Sequence, residues 1–71
     1  MRLRPVESSV IRAVGYERDT ATLEIEFHSD NVYRYFAVPH GVYEGLINAE
    51  SVGAYFNQRV RDRYPEERVR R

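Results

Sequence analysis

The chain has 71 residues, 42% of them hydrophobic, which is enough for a single small domain with one thin core. It contains no Cys, which excludes a disulfide framework and a thiolate metal site. Eleven basic and eleven acidic residues give no net charge, so any nucleic-acid surface has to come from local clustering of charge.

The chain carries no signal for secretion or membrane insertion. Its start, residues 1–5, lacks the long apolar stretch of a signal peptide. No segment approaches the roughly 18 consecutive apolar residues of a membrane span. We therefore expect a soluble, cytoplasmic protein.

Strands are predicted in the first half of the chain, at residues 9–16, 22–27 and 32–38. The second of these has the strictest alternation, with Leu23, Ile25 and Phe27 on one face and polar residues on the other. Polar turns separate the three segments. We therefore predict a three-stranded antiparallel meander.

The turn before the third strand is predicted to be a tight hairpin, because Asp30 and Asn31 tolerate the left-handed backbone that such a turn needs. Within the third strand, Tyr33 and Tyr35 share one face. The other face also carries apolar groups, so the pattern alone leaves open which face meets the core. Pro39 is predicted to end the strand and to open a helix.

Two short helices are predicted to follow, packed on one face of the sheet. The first covers residues 40–49, and its Gly41 and Gly45 are predicted to pack closely against the sheet. The second begins after the N-cap Ser51 and is ended by Pro65. Its apolar stripe, which we expect to contact the sheet, consists of Val52, Phe56, Val60 and Tyr64.

These elements predict one α+β domain over residues 1–71. Its core covers residues 6–64, and residues 65–71 form a flexible charged tail, because they mix charges with a single apolar residue, Val69.

Metal and catalytic sites are not indicated. His28 and His40 lie in different loops, and neither has a second ligand at metal-binding spacing. No Gly-rich phosphate loop is present. Ser8 and Ser9 lack the elbow motif of a nucleophile and are better explained by bonds to nearby backbone. We expect no enzyme, no cofactor and no metal.

Aromatic and Arg residues alternate at Tyr33-Arg34-Tyr35. Exposed aromatic rings on a sheet stack on single-stranded bases, each worth on the order of 1–3 kcal/mol, beside cations that follow the backbone. All eleven basic residues of the chain are Arg, whose planar fork stacks on bases and clamps phosphates. Two alternatives need no ligand: the tyrosines cover the helices from the inner face, and a GC-rich genome prefers Arg codons.

A second candidate surface lies on the last helix, where steps of about 100° per residue place Tyr55, Arg59 and Arg63 along one flank of the apolar stripe. This row could bind phosphates, although nearby acidic residues make a solvated face with short ion pairs an equal explanation. Asn57 lies at the edge of the stripe. Its amide either satisfies a neighbouring loop or reads a ligand.

Five segments of the chain, in this order, resemble the KTSC domain family. They are Val6-Glu7-Ser8-Ser9, Val14-Gly15-Tyr16, Tyr33-Arg34-Tyr35, Val38-Pro39 and Ser51-Val52-Gly53-Ala54-Tyr55-Phe56-Asn57. The resemblance covers residues 6–64. One departure is the turn His28-Ser29-Asp30-Asn31, where the family often has a Gly.

The resemblance implies a domain found as a C-terminal extension of some lysyl-tRNA synthetases and as small stand-alone bacterial and phage proteins. Its role is unassigned, and the synthetase context suggests RNA by analogy alone. Our first hypothesis is a module that binds RNA or single-stranded nucleic acid. The second is a protein-interaction module or homodimer, which docks through an open sheet edge or the tyrosine-rich surface.

Overall fold

A five-stranded antiparallel sheet and two helices form residues 2–69, the part of the chain that the computed structural model describes. The elements in chain order are β1 (Arg4–Pro5), β2 (Ile11–Glu17), β3 (Thr22–Phe27), β4 (Val32–Tyr35), α1 (His40–Asn48), α2 (Val52–Arg59) and β5 (Glu66–Val69). Each strand pairs with the next one in the sequence, so the sheet order is β1 to β5. The predicted α+β class is confirmed, but the sheet has five strands rather than three.

The additional strand β5 corrects the prediction of a charged tail. It pairs antiparallel with β4, placing Glu66 opposite Tyr35 and Val69 opposite Val32. Three of its four residues are charged, so the sequence has no alternation of apolar and polar residues to reveal a strand. Pairing with β4 supplies the stability that the segment lacks by itself. Arg70 and Arg71, which the prediction also assigned to the tail, lie outside the described residues.

The core lies between the two helices and one face of the sheet, here called the inner face. Val14, Leu23 and Ile25 project from neighbouring strands onto this face and are fully buried. Helical residues Leu46 and Phe56 belong to the same buried cluster. Three of the four predicted stripe residues of α2 are buried, namely Val52, Phe56 and Val60, and Tyr64 is partly buried against them.

Two predicted elements end earlier than expected, and each is followed by a non-glycine residue in the left-handed region. Strand β4 stops at Tyr35 instead of Val38, and Ala37 has a φ of 59°. Helix α2 stops at Arg59 instead of Tyr64, and Asp62 has a φ of 62°. The turn at Asp62 redirects the chain so that β5 can return beside β4.

Arg12 of β2 bonds to the hairpin between β3 and β4, a contact that the sequence analysis did not predict. A register shift in β2 places Arg12 in a β-bulge. Its guanidinium donates to Asp30 Oδ1 at 2.9 Å and to the carbonyl of His28 at 3.2 Å. Asp30 has a φ of 72°, as predicted for the hairpin.

The predicted N-cap of α2 is confirmed, whereas the predicted packing of the α1 glycines against the sheet is wrong. The Ser51 hydroxyl accepts from the backbone N–H of Ala54 at 3.2 Å, which confirms the predicted N-cap. Gly45 packs closely, but against the Tyr55 ring of α2 and not against the sheet. No atom lies within 4 Å of where a Gly41 β-carbon would stand, so the close packing predicted there is wrong.

Among the described residues, no helix is long and apolar enough to cross a membrane.

Candidate functional site

The side chains of Tyr33 and Tyr35 lie on the inner face of the sheet. They lie opposite Ile25 and Leu23 of β3, two fully buried residues of the inner face, so both tyrosines face the helices. Tyr35 retains 3% of its surface, while Tyr33 is half-buried. The two ring centroids are 6.5 Å apart. An open stacking platform on the bare side of the sheet is therefore excluded for this pair.

Arg34 belongs to the opposite, outer face of the sheet. It lies across from Glu24 on β3 and from Glu67 on β5. Its Nε donates to Glu24 Oε1 at 2.9 Å. Arg34 is thus separated from the tyrosines by the sheet itself and is already paired with a carboxylate.

The half-buried ring of Tyr33 opens into a cleft of about 370 Å³ between β4, β5 and α2. Its aromatic wall is held by edge-to-face contacts: the Phe27 centroid lies 6.0 Å from Tyr33 and 5.5 Å from Phe56. We call this space the Tyr33 cleft. Its lining comprises Val10, Phe27, Ser29, Asn31, Tyr33, Tyr35, Gly53, Phe56, Asn57, Arg61, Asp62 and Glu66.

Of the residues predicted as a binding site, three meet in the Tyr33 cleft: Tyr33, Tyr35 and Asn57. Asn57 follows the buried Phe56 on α2 but is itself exposed, and not half-buried as a position at the edge of the stripe would be. Its amide provides both a donor and an acceptor at the cleft.

The other three predicted residues do not line the cleft, and Tyr55 and Arg59 lie on the flank of α2 that faces α1. The Tyr55 ring covers Gly45, and the guanidinium carbon of Arg59 lies 5.9 Å from the Tyr55 ring centroid. Arg63 donates from Nε to the carbonyl of Gln58 at 2.9 Å. These contacts hold two exposed guanidinium groups at the end of α2. Together with Arg61 they form what we call the arginine segment.

The charged residues of the cleft were not predicted, because each depends on tertiary structure. Arg61 and Asp62 belong to the turn that follows α2, a segment that the sequence analysis assigned to the helix itself. Glu66 reaches the cleft through β5, directly opposite Tyr35. Beside it, Arg68 lies opposite Tyr33 and donates to Asn31 Oδ1 at 2.9 Å. No local pattern in the sequence indicates these positions.

The hydroxyl of Tyr35 is a proton donor that faces the cleft. Burial raises the pKa of Tyr35 well above its ordinary value, and the negative charge of Glu66 raises the pKa further. Within residues 2–69, this hydroxyl forms no hydrogen bond, and no fully buried polar side-chain atom lacks a partner. The hydroxyl is therefore accessible, and because Tyr35 lines the cleft, a ligand or water there can accept a hydrogen bond from it.

The serine and histidine residues considered for chemistry have structural contacts. The Ser8 hydroxyl accepts from the backbone N–H groups of Val10 and Ile11, each at 3.1 Å. His28 Nε2 lies 2.8 Å from the Ser8 carbonyl oxygen. His40 lies elsewhere, 5.5 Å from Tyr16 by ring centroids. Over residues 2–69, no three His, Cys, Asp or Glu side chains are placed to hold a metal ion.

Comparisons with known proteins agree with this architecture. The chain is similar to a crystal structure of a KTSC domain protein from Yersinia pestis. Its TM-score is 0.95 with 29% sequence identity, over 97% of each chain.

Sequence relatives include a lysine–tRNA ligase of Nostoc punctiforme, 46% identical over 94% of this chain but only 12% of the ligase. A protein of Stutzerimonas stutzeri is 43% identical over 82% of both chains. The chain thus spans a small part of the ligases that it matches. The family model of the KTSC domain matches residues 7–64. The chain therefore belongs to the KTSC domain family.

Proposed function

We propose that this domain is a non-catalytic, cytoplasmic binding module for single-stranded nucleic acid, and for RNA in particular. The observation that carries the proposal is the Tyr33 cleft, where a half-buried aromatic ring, the Asn57 amide and the Arg61 guanidinium converge. An unstacked base offers a flat face for the ring and polar edges for the amide. A volume of about 370 Å³ is in the range of small-molecule sites and suits one nucleotide.

The charge of the arginine segment supports the proposal, although within the described residues Arg2, Arg4, Arg18 and Arg68 likewise form no salt bridge. On the outer face, Arg12 is bonded to Asp30 and Arg34 to Glu24, which leaves these cations neutralised. Within the described residues, no salt bridge involves Arg59, Arg61 or Arg63. Arg61 lines the cleft, and in the proposed binding mode the phosphates next to a bound base contact the arginine segment.

The relatives support an RNA ligand only by analogy. Lysine–tRNA ligases carry a segment like this chain, and their name states that they act on tRNA. The ligand of a segment that covers 12% of a ligase does not follow from the activity of the whole. The proposal therefore depends on the cleft and on the arginine segment.

The experiment is a fluorescence anisotropy titration of a labelled single-stranded RNA at low salt. We expect binding below about 100 μM that weakens as salt rises. The double variant Arg59→Glu/Arg63→Glu should weaken binding strongly and reduce the slope of log affinity against log salt by about 1.4, since each lost phosphate contact contributes about 0.7. The matched control is Arg4→Glu/Arg18→Glu, which changes the net charge equally at two exposed positions away from the cleft.

Two results would end this proposal: no binding at about 100 μM RNA, or equal weakening by both double variants, which would indicate a response to net charge alone. A protein partner or a second copy of the chain is the alternative ligand. Strand β5 forms one edge of the sheet, but its three charged residues oppose strand-to-strand pairing. A mass that rises with concentration in light scattering, without added RNA, would favour this alternative.

A further inference from the structure

Two carboxylates line the Tyr33 cleft, which is unexpected for a surface that binds a polyanion. Glu66 and Asp62 stand beside the aromatic wall, on the same side of the sheet as Tyr35. A phosphate placed between them would be repelled, so the part of a nucleic acid that enters here has to be a base. In the proposed binding mode, phosphates contact Arg59 and Arg63, which are not part of the cleft lining.

The carboxylates also restrict which base can enter. An ionised carboxylate only accepts hydrogen bonds, and its two oxygens match two neighbouring donors. Guanine presents such a pair, N1–H and N2–H₂, on its Watson–Crick edge. Adenine and cytosine each pair one donor with an acceptor on that edge, and uracil has a single N–H between two carbonyls. An acceptor that faces a carboxylate repels it, which disfavours these three bases.

The buried tyrosine supplies the complementary group. Tyr35 is 97% buried, since it retains 3% of its surface, and its hydroxyl reaches the cleft with no partner among the described residues. A tyrosine hydroxyl is protonated at neutral pH, so this group can donate to a ligand or to water. Guanine O6 is an acceptor adjacent to N1–H, and Arg61 offers further donors to the O6 and N7 edge.

The geometry points to the Tyr33 cleft as a guanine-selective base site, in which Glu66 and Asp62 accept from N1–H and N2–H₂ while Tyr33 stacks on the ring. This inference rests on the proposed function, because it identifies the base that the RNA inserts.

The experiment compares RNAs of about eight nucleotides that are uniformly uridine or carry one central G, A or C. We expect the G-containing RNA to bind about tenfold or more tightly than the other three. Glu66→Gln and Asp62→Asn should each bring the ratio of the affinity for the G-containing RNA to that for the uridine RNA close to one, since each removes a carboxylate but keeps the size of the side chain. Asn also tolerates the left-handed backbone at position 62.

The matched control is Glu67→Gln, which removes the neighbouring carboxylate on the outer face, opposite Arg34, and should retain the preference for G. Equal binding of all four RNAs would overturn the guanine inference and leave the proposed function standing. Competition by free guanosine monophosphate and not by adenosine monophosphate would support the base site. If that competition occurs while no RNA binds, the base site stands and the proposed RNA function falls.

Discussion

The hydroxyl of Tyr55 lies where a β-carbon on Gly45 would stand, so α1 and α2 approach each other through a glycine and an aromatic ring. Gly45→Ala should therefore destabilise the domain by about 1–3 kcal/mol, although Ala is the better helix former. Chemical denaturation measures this change in the free energy of unfolding.

The same helix contains the control for that prediction. Gly41→Ala should leave stability unchanged or raise it by up to about 1 kcal/mol, because no atom lies within 4 Å of the new methyl group. In a Tyr55→Ala background the cost of Gly45→Ala should disappear. If Gly45→Ala still lowers the free energy of unfolding in the absence of the Tyr55 ring, the contact with Tyr55 is not the reason that position 45 requires glycine.

Ala37 occupies the left-handed region with a φ of 59°, at the turn where β4 ends. This conformation costs a residue with a β-carbon about 1–2 kcal/mol, whereas Gly pays roughly 0.5–1 kcal/mol in unfolded-state entropy. Ala37→Gly should therefore raise the melting temperature slightly. Ala54→Gly, on the exposed side of α2, should lower stability by about 1 kcal/mol. Equal losses in the two variants would refute the strain at Ala37.

Strand β5 should contribute to stability, because its pairing with β4 makes β4 an internal strand. A chain that ends at Pro65 should be less stable than one that ends at Val69 by about 1–3 kcal/mol, from four cross-strand pairs of roughly 0.2–1 kcal/mol each. Thermal unfolding of the two chains, followed by circular dichroism, provides the comparison. Identical unfolding curves would show that residues 66–69 contribute no stability, as expected of a flexible tail.

The pKa of Tyr35 leads to a prediction for stability at high pH. The folded protein holds the phenolic proton more tightly than the unfolded chain, whose tyrosines titrate near pH 10. The stability that Tyr35 contributes is therefore complete below about pH 10 and is lost as the pH rises above that value, by up to about 1.4 kcal/mol per pH unit. Tyr35→Phe should show a shallower decline between pH 10 and pH 11 in denaturation midpoints, and an unchanged slope would contradict the shift.

The sequence predicted the elements whose stability is local or whose pattern is strict. The alternation of Leu23, Ile25 and Phe27 identified β3, and the Ser51 hydroxyl marked the start of α2. The missing elements depend on partners far away in the chain. Strand β5 forms only against β4, and the bulge at Arg12 is visible only in the register of two strands.

The candidate site was predicted in part for the same reason. The sequence indicates Tyr33, Tyr35 and Asn57 as candidate binding residues, and all three line the cleft. Asp62 and Glu66 reach it because α2 ends early and the chain turns back beside β4. Neither event has a local sequence signal, so the acidic half of the cleft could not be derived from the pattern.

The most direct test of the account locates the bound RNA on the protein. Backbone amide signals of the ¹⁵N-labelled domain are followed by NMR during titration with the G-containing RNA. The account predicts that the largest shifts occur at Tyr33, Asn57 and Arg61, which line the cleft, while Gly15 and Glu24 on the outer face of the sheet stay in place. Shifts concentrated on the outer face, with the cleft signals unmoved, would contradict it.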